Sequence, residues 1–210
     1  MKKKTIALAL VLVMVFGATL GGTFAYLTST DTVTNTFTVG NVQITMDEAK
    51  VNLYGKPVNA DGQTKEEYLD IEGNTETGWV PARTDGNQYK LIPGHTYTKD
   101  PTIYMDEKSE DAWLVVQIVN NLSEITTITG LNGWTVIDAV NGIYGYNTPV
   151  SAEQSVEIFG SFSVSGTYDP DTTGTTDYEG KTIEVTAYAI QKDGFSSAEA
   201  AWNATFASKS

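Results

Sequence analysis

Apolar and polar residues alternate with a period of two over most of the chain, the signature of half-buried β-strands. Val33, Asn35, Phe37 and Val39 share one side of an extended segment; after Gly40-Asn41, Val42, Ile44 and Met46 share a side of the next. Residues 47–90 break the rhythm. They form a polar excursion, densest in Gly, Asn, Asp and Thr over 47–87, in which residues 64–69 (TKEEYL) predict a short helix with Thr64 as cap and Glu67 three residues on. The alternation returns after the Pro93-Gly94 turn. Residues 95–105 read as a strand interrupted at Pro101, which belongs on an edge or at a bulge because it has no N–H to give a ladder. Residues 112–120 (AWLVVQIVN) are the most continuously apolar of the predicted strands, which places them centrally.

Residues 134–138 and 143–147 read as a hairpin turning near Asn141-Gly142. Residues 155–165 carry Val156, Ile158, Phe159, Phe162 and Val164, with a bulge expected at Gly160. Residues 182–191 set Ile183, Val185, Ala187 and Ala189 against Thr182, Glu184, Thr186 and Tyr188. The period then changes. Ala198, Ala201, Trp202, Thr205 and Phe206 fall at helical spacing within 196–208, with Ser196 or Ser197 as cap and Glu199 in the first turn. The expected fold is therefore mainly β, an antiparallel two-sheet sandwich with a long polar insertion and a short C-terminal helix. Residues 26–210 make one domain of it.

The N-terminus has its own pattern. Lys2, Lys3 and Lys4 precede an apolar stretch at 6–16, and small residues follow up to Thr23-Phe24-Ala25. Residues 1–25 read as a signal peptide cleaved between Ala25 and Tyr26, the alternative being an uncleaved membrane anchor. Export places the mature chain outside the cell, touching the membrane only through the precursor. The absence of cysteine excludes disulfides and thiol nucleophiles, and fits secretion from bacteria with a single membrane. With 26 acidic against 13 basic side chains, the net charge of −13 excludes nucleic acid as a natural partner and favours cations or basic surfaces.

Candidate chemistry is sparse. His95 is the only histidine, so His₂ and His₃ zinc sites are excluded, and no HExxH motif occurs. After Pro93-Gly94 it reads as a turn residue. Asp169, Asp171 and Asp177 with Gly174 form a loose calcium-like loop whose spacing departs from the EF-hand pattern; the competing reading is a solvated turn. No other metal or cofactor site is expected. Glu66-Glu67 and Asp106-Glu107 are adjacent acids that point apart, poor material for acid/base pairs. The many tyrosines read first as core and cross-strand pairs, second as a glycan-binding face.

The junction Gly21-Gly22-Thr23-Phe24-Ala25-Tyr26, followed by residues 34–42 (TNTFTVGNV), resembles the TasA/camelysin family of secreted bacterial proteins processed by a SipW-type signal peptidase. The Pro93-Gly94 turn and the residues 109–112 leading into Trp113 are similar to the family as well. The resemblance implies a jelly-roll-like sandwich. It also implies assembly into extracellular biofilm fibres, with itself or with other matrix proteins, by donation of the mature N-terminal strand. Residues 26–39 are the donor segment so implied, with Tyr26, Leu27, Val33, Phe37 and Val39 as its anchors; the competing reading makes Phe37 onwards the first strand of the chain's own sandwich. Some family members have been called metalloproteases, but this chain lacks a zinc motif. A surface adhesin or ligand-binding module using the 47–90 excursion is the alternative reading.

Overall fold

The run expected to be central forms the strand around which the rest is built. The computed structural model describes residues 41–68, 78–168, 178 and 180–206, all within the compact unit Gly40–Ser210. The strands, in chain order, are β1 (Ile44–Ala49), β2 (Arg83–Thr84), β3 (Thr96–Thr98), β4 (Thr102–Met105), β5 (Ala112–Asn120), β6 (Thr126–Thr129), β7 (Trp134–Asp138), β8 (Ile143–Tyr146), β9 (Ser155–Glu157), β10 (Ser161–Val164) and β11 (Ile183–Gln191); one helix, α1 (Ala198–Thr205), follows. All ladders between these strands are antiparallel.

One sheet has the order β11-β5-β8-β7. The other strands form two short sheets, β2-β1-β4-β9 and β3-β10-β6, which are two halves of one bent layer. Tyr97 faces Phe162 in one half and Ile103 faces Val156 in the other, so the pairing keeps a single register across the break. Two bonds carry it through: Ile158 N–H donates to the Pro101 carbonyl (2.9 Å) and Lys99 N–H to the Gly160 carbonyl (3.2 Å). Pro101 therefore sits inside the layer and is buried, rather than on an edge or at a bulge as its sequence implied. It forfeits one donated bond, at the point where the layer changes outer neighbours from β1 to β6. The result is a mainly β, jelly-roll-like antiparallel sandwich in which distant segments pair in nested fashion.

Period two decides what each face of β5 meets. Leu114, Val116 and Ile118 look into the sandwich, against Ile103 and Met105 of β4, Val156 of β9 and Ile158. Trp113 and Val115 look the other way, against Ile143 and the buried Ala198 and Ala201 of α1. Covered on both faces over 112–116, β5 is unbrokenly apolar there, and each of its larger side chains contributes roughly 1.5–3 kcal/mol by burial. The helix starts where expected: the Ser197 hydroxyl accepts from Ala200 N–H (3.1 Å), and Glu199 lies in the first turn. A second core holds the buried Tyr97, Phe162, Val164, Leu122 and Ile125.

The insertion begins later than the sequence implied, because Asp47–Ala49 complete β1. It folds back on that strand's end, with bridges from Val51 to Pro57 and from Val58 to Thr64. The helix expected at 64–69 is one hydrogen-bonded turn in the described part. Tyr68 N–H reaches the Thr64 carbonyl, and Thr64 N–H donates to Glu67 Oε2 (2.9 Å), one half of a capping box. Thr64 is already committed to its bridge with Val58.

Exposed carboxylates brace two turns. Hydrogen bonds from Ser151 and Lys192 hold Asp111 below its ordinary pKa, and those from the Asn141 side chain and backbone do the same for Asp138. Stability from a depressed carboxylate is present above the unfolded value near 4 and is lost as pH falls through the folded one. The thermal midpoint is therefore expected to drop on acidification below about pH 4. A chain carrying Asp111→Asn and Asp138→Asn should show a shallower drop in melts recorded across that range.

Candidate functional site

Most residues that the sequence marks for function lie outside the described residues: Ala25 and Tyr26 at the cleavage point, Leu27, Val33, Phe37 and Val39 of the donor segment, and Asp169, Asp171 and Asp177 of the calcium-like loop. His95 is described, and its placement suits a turn residue. Its Nε2 lies 2.9 Å from the Tyr54 carbonyl and its ring packs edge-on against Tyr97. Among the described residues, no group of three His, Asp or Glu side chains converges as a metal site. Glu66 and Glu67 are fully exposed and both held below the ordinary carboxylate range, chiefly by backbone hydrogen bonds. Asp106 caps a turn by accepting from Lys108 N–H. The tyrosines divide as expected toward packing: Tyr89, Tyr97 and Phe162 form an interlocked set with centroids 5.0–5.6 Å apart.

Two features stand out instead. The first is a pair of open sheet edges. Thr182 and Lys192 bond toward the β5 side, so by alternation Ile183, Val185, Ala187, Ala189 and Gln191 aim their N–H and C=O groups away from the sheet. Among the described residues no strand pairs with that edge. On β1, β2 covers only Glu48 and Ala49, leaving the outward groups of Ile44 and Met46 without a described partner. The side chains along both edges are apolar and only half-buried: Val42, Ile44 and Met46 on one, Ile183, Val185, Ala187 and Ala189 on the other, all packed against the same core. Long apolar edges of this kind are templates for strand addition.

The second is a polar cluster where the insertion meets β1. Glu48 is buried, and its carboxylate accepts from Lys99 Nζ (2.6 Å) and from Asn87 Nδ2 (2.9 Å). Beside it Arg83 donates to Asp47 Oδ1 (2.8 Å) and Asp100 Oδ2 (2.9 Å). Partial burial works against the Arg83 charge, but those two carboxylates outweigh it and raise its pKa. Asp100 Oδ1 takes Ala49 N–H (2.7 Å), standing in for a strand carbonyl at the next rung of the β1–β4 ladder. Burial pushes the Tyr89 hydroxyl up, and the Glu48 charge adds to it. The sequence reading passed over Glu48, yet a signal was present: it continues the parity of Val42, Ile44 and Met46, an acid on the core-facing side of a strand.

The chain was compared with protein-family models, with curated proteins and with solved structures, and none of them matches it.

Proposed function

We propose that the chain is a secreted structural protein of the extracellular or biofilm matrix that assembles into fibres. In this reading residues 1–25 are removed after Ala25 by a SipW-type peptidase, and residues 26–39 of each copy add to a sheet edge of the next. The observation that carries it is the nine-residue β11, whose outer edge has no described partner and whose core-facing side chains are half-buried. A strand laid there gains main-chain hydrogen bonds and covers apolar surface in one step. Residues 26–39 have the matching character, Thr-rich and without proline, with Val33, Phe37 and Val39 on one face, and 26–34, which precede the core alternation, are the better donor.

Removing residues 26–32 from the mature chain tests the reading. The shortened protein is expected to stay folded and monomeric by circular dichroism and light scattering, and to form no fibres under the electron microscope. Fibres like those of the parent would overturn strand donation. An unfolded product would make the segment an internal strand and move the interface elsewhere.

A further inference from the structure

Glu48 joins two functional groups out of water, the Lys99 amine and the Asn87 amide. It closes the core-facing side of β1 with 4% exposure, and its two oxygens are divided between nitrogens from separate parts of the chain. Oε2 accepts from Lys99 Nζ at 2.6 Å and Oε1 from Asn87 Nδ2 at 2.9 Å. The Lys99 side chain is itself 11% exposed. Asn87 is clamped in orientation: Nδ2 also donates to the Ala49 carbonyl (2.8 Å), and Oδ1 accepts from Val51 N–H (2.8 Å). Tyr89 closes over the group, its hydroxyl donating to the Thr98 carbonyl (3.1 Å) and its ring wedged against Tyr97 and Phe162. As an ion pair alone this is a costly arrangement, since desolvating both charges offsets most of their attraction. As a set of reactants it is complete: an amine, a primary amide, and a carboxyl group touching both. The amine and amide nitrogens are no farther apart than two hydrogen bonds and the width of one carboxylate.

We propose that Lys99 and Asn87 condense to an intramolecular isopeptide bond, with Glu48 as the proton carrier. Lys99 passes a proton to Glu48 along their hydrogen bond, leaving Nζ with a free lone pair; a desolvated lysine is the usual form of an amine nucleophile. Nζ attacks Cγ of Asn87 and the new C–N bond forms. The negative charge that develops on Oδ1 falls on the Val51 N–H already bound there. Glu48 delivers its proton to Nδ2, the Cγ–Nδ2 bond breaks, and ammonia departs. Nζ releases its second proton to Glu48, which hands it to the ammonia, so one ammonium leaves and the Glu48 carboxylate is restored. No oxidant, metal or cofactor enters the balance. The bond would tie the end of the insertion to the strand pair β3–β4 in a chain with no cysteine for a disulfide.

Mass spectrometry of the purified, denatured chain decides the matter. Read against the mass fixed by its own N-terminal sequence, the intact chain is expected to fall short by one ammonia. A protease digest should contain a branched peptide joining Lys99 to Asn87. Lys99→Arg keeps a cation beside Glu48 but offers no nucleophilic amine, and Glu48→Gln removes the proton carrier; both are expected to restore the full mass. A succinimide at Asn132-Gly133 or Asn141-Gly142 would mimic the deficit, but it leaves linear peptides and persists in Lys99→Arg. A folded parent chain of full mass, or a deficit that survives Lys99→Arg, overturns the proposal.

Discussion

Replacing Phe162 with alanine is expected to lower stability by about 3–5 kcal/mol, the usual range for a fully buried phenylalanine. The ring is 1% exposed and lies between two tyrosines, stacked on Tyr97 at 5.0 Å and edge-on to Tyr89 at 5.1 Å. The surroundings have little freedom to collapse into the space. Tyr97 is fixed through its hydroxyl, which donates to the Lys90 carbonyl and accepts from Ile92 N–H (2.8 Å). Tyr89 is fixed by its bond to Thr98. Backbone pairing on both sides of β10, to β3 and to β6, holds the position in place. The midpoint of guanidinium unfolding should fall accordingly at an unchanged slope. Phe162→Leu, which keeps most of the volume, should lose well under half as much.

The second large effect is expected at Gly142, in the β7–β8 hairpin. Its φ is +66°, a conformation in which a side chain is strained, and a Cβ there would stand 2.2 Å from the Ile118 carbonyl oxygen. That oxygen cannot retreat easily, because Ile118 N–H is bonded to the Gly142 carbonyl (2.9 Å) and Ile118 belongs to the central strand. Left-handed strain of about 1–2 kcal/mol and a steric displacement of similar size give Gly142→Ala a cost of about 2–4 kcal/mol. Hydrogen exchange should locate the damage, with amides of β7 and β8 losing protection before those of the β10 layer. Asn141→Ala, next door, should cost far less.

The hairpin around Gly142 was legible in the sequence because a turn needing positive φ prints glycine between two alternating runs. β5, β11 and α1 were legible for the same kind of reason: a strand buried on both faces must be apolar throughout, an edge strand alternates, and a helix repeats every three to four residues and opens on a capping serine. Pro101 was misread because its missing N–H argues only about its own hydrogen bond. The ladder tolerates the loss, since the proline's carbonyl still accepts from Ile158 and Lys99 supplies the next rung. The helix expected at 64–69 is a single turn over its described residues, because the capping signal is local, while Thr64 is held by a partner outside the window, Val58. That no described strand lies on the outer edge of β11 was not legible at all. Alternation marks a strand but not who lies beside it, and neighbours are settled by pairings over long separations. Glu48 falls between these cases: parity places it inward, but only the fold brings Lys99 and Asn87 to it.

The position of β5 also governs the order in which the protein can acquire its shape. Its flanking strand β11 and its cover α1 are the last of the described elements, separated from it by everything from β6 to β10. A nascent polypeptide therefore leaves β5 without its longest neighbour and its cover until residues 183–205 have been made, and contacts of such long range form slowly. A ribosome that stops before β11 would release a chain prone to aggregate, because its central strand then has neither its longest neighbour nor its lid.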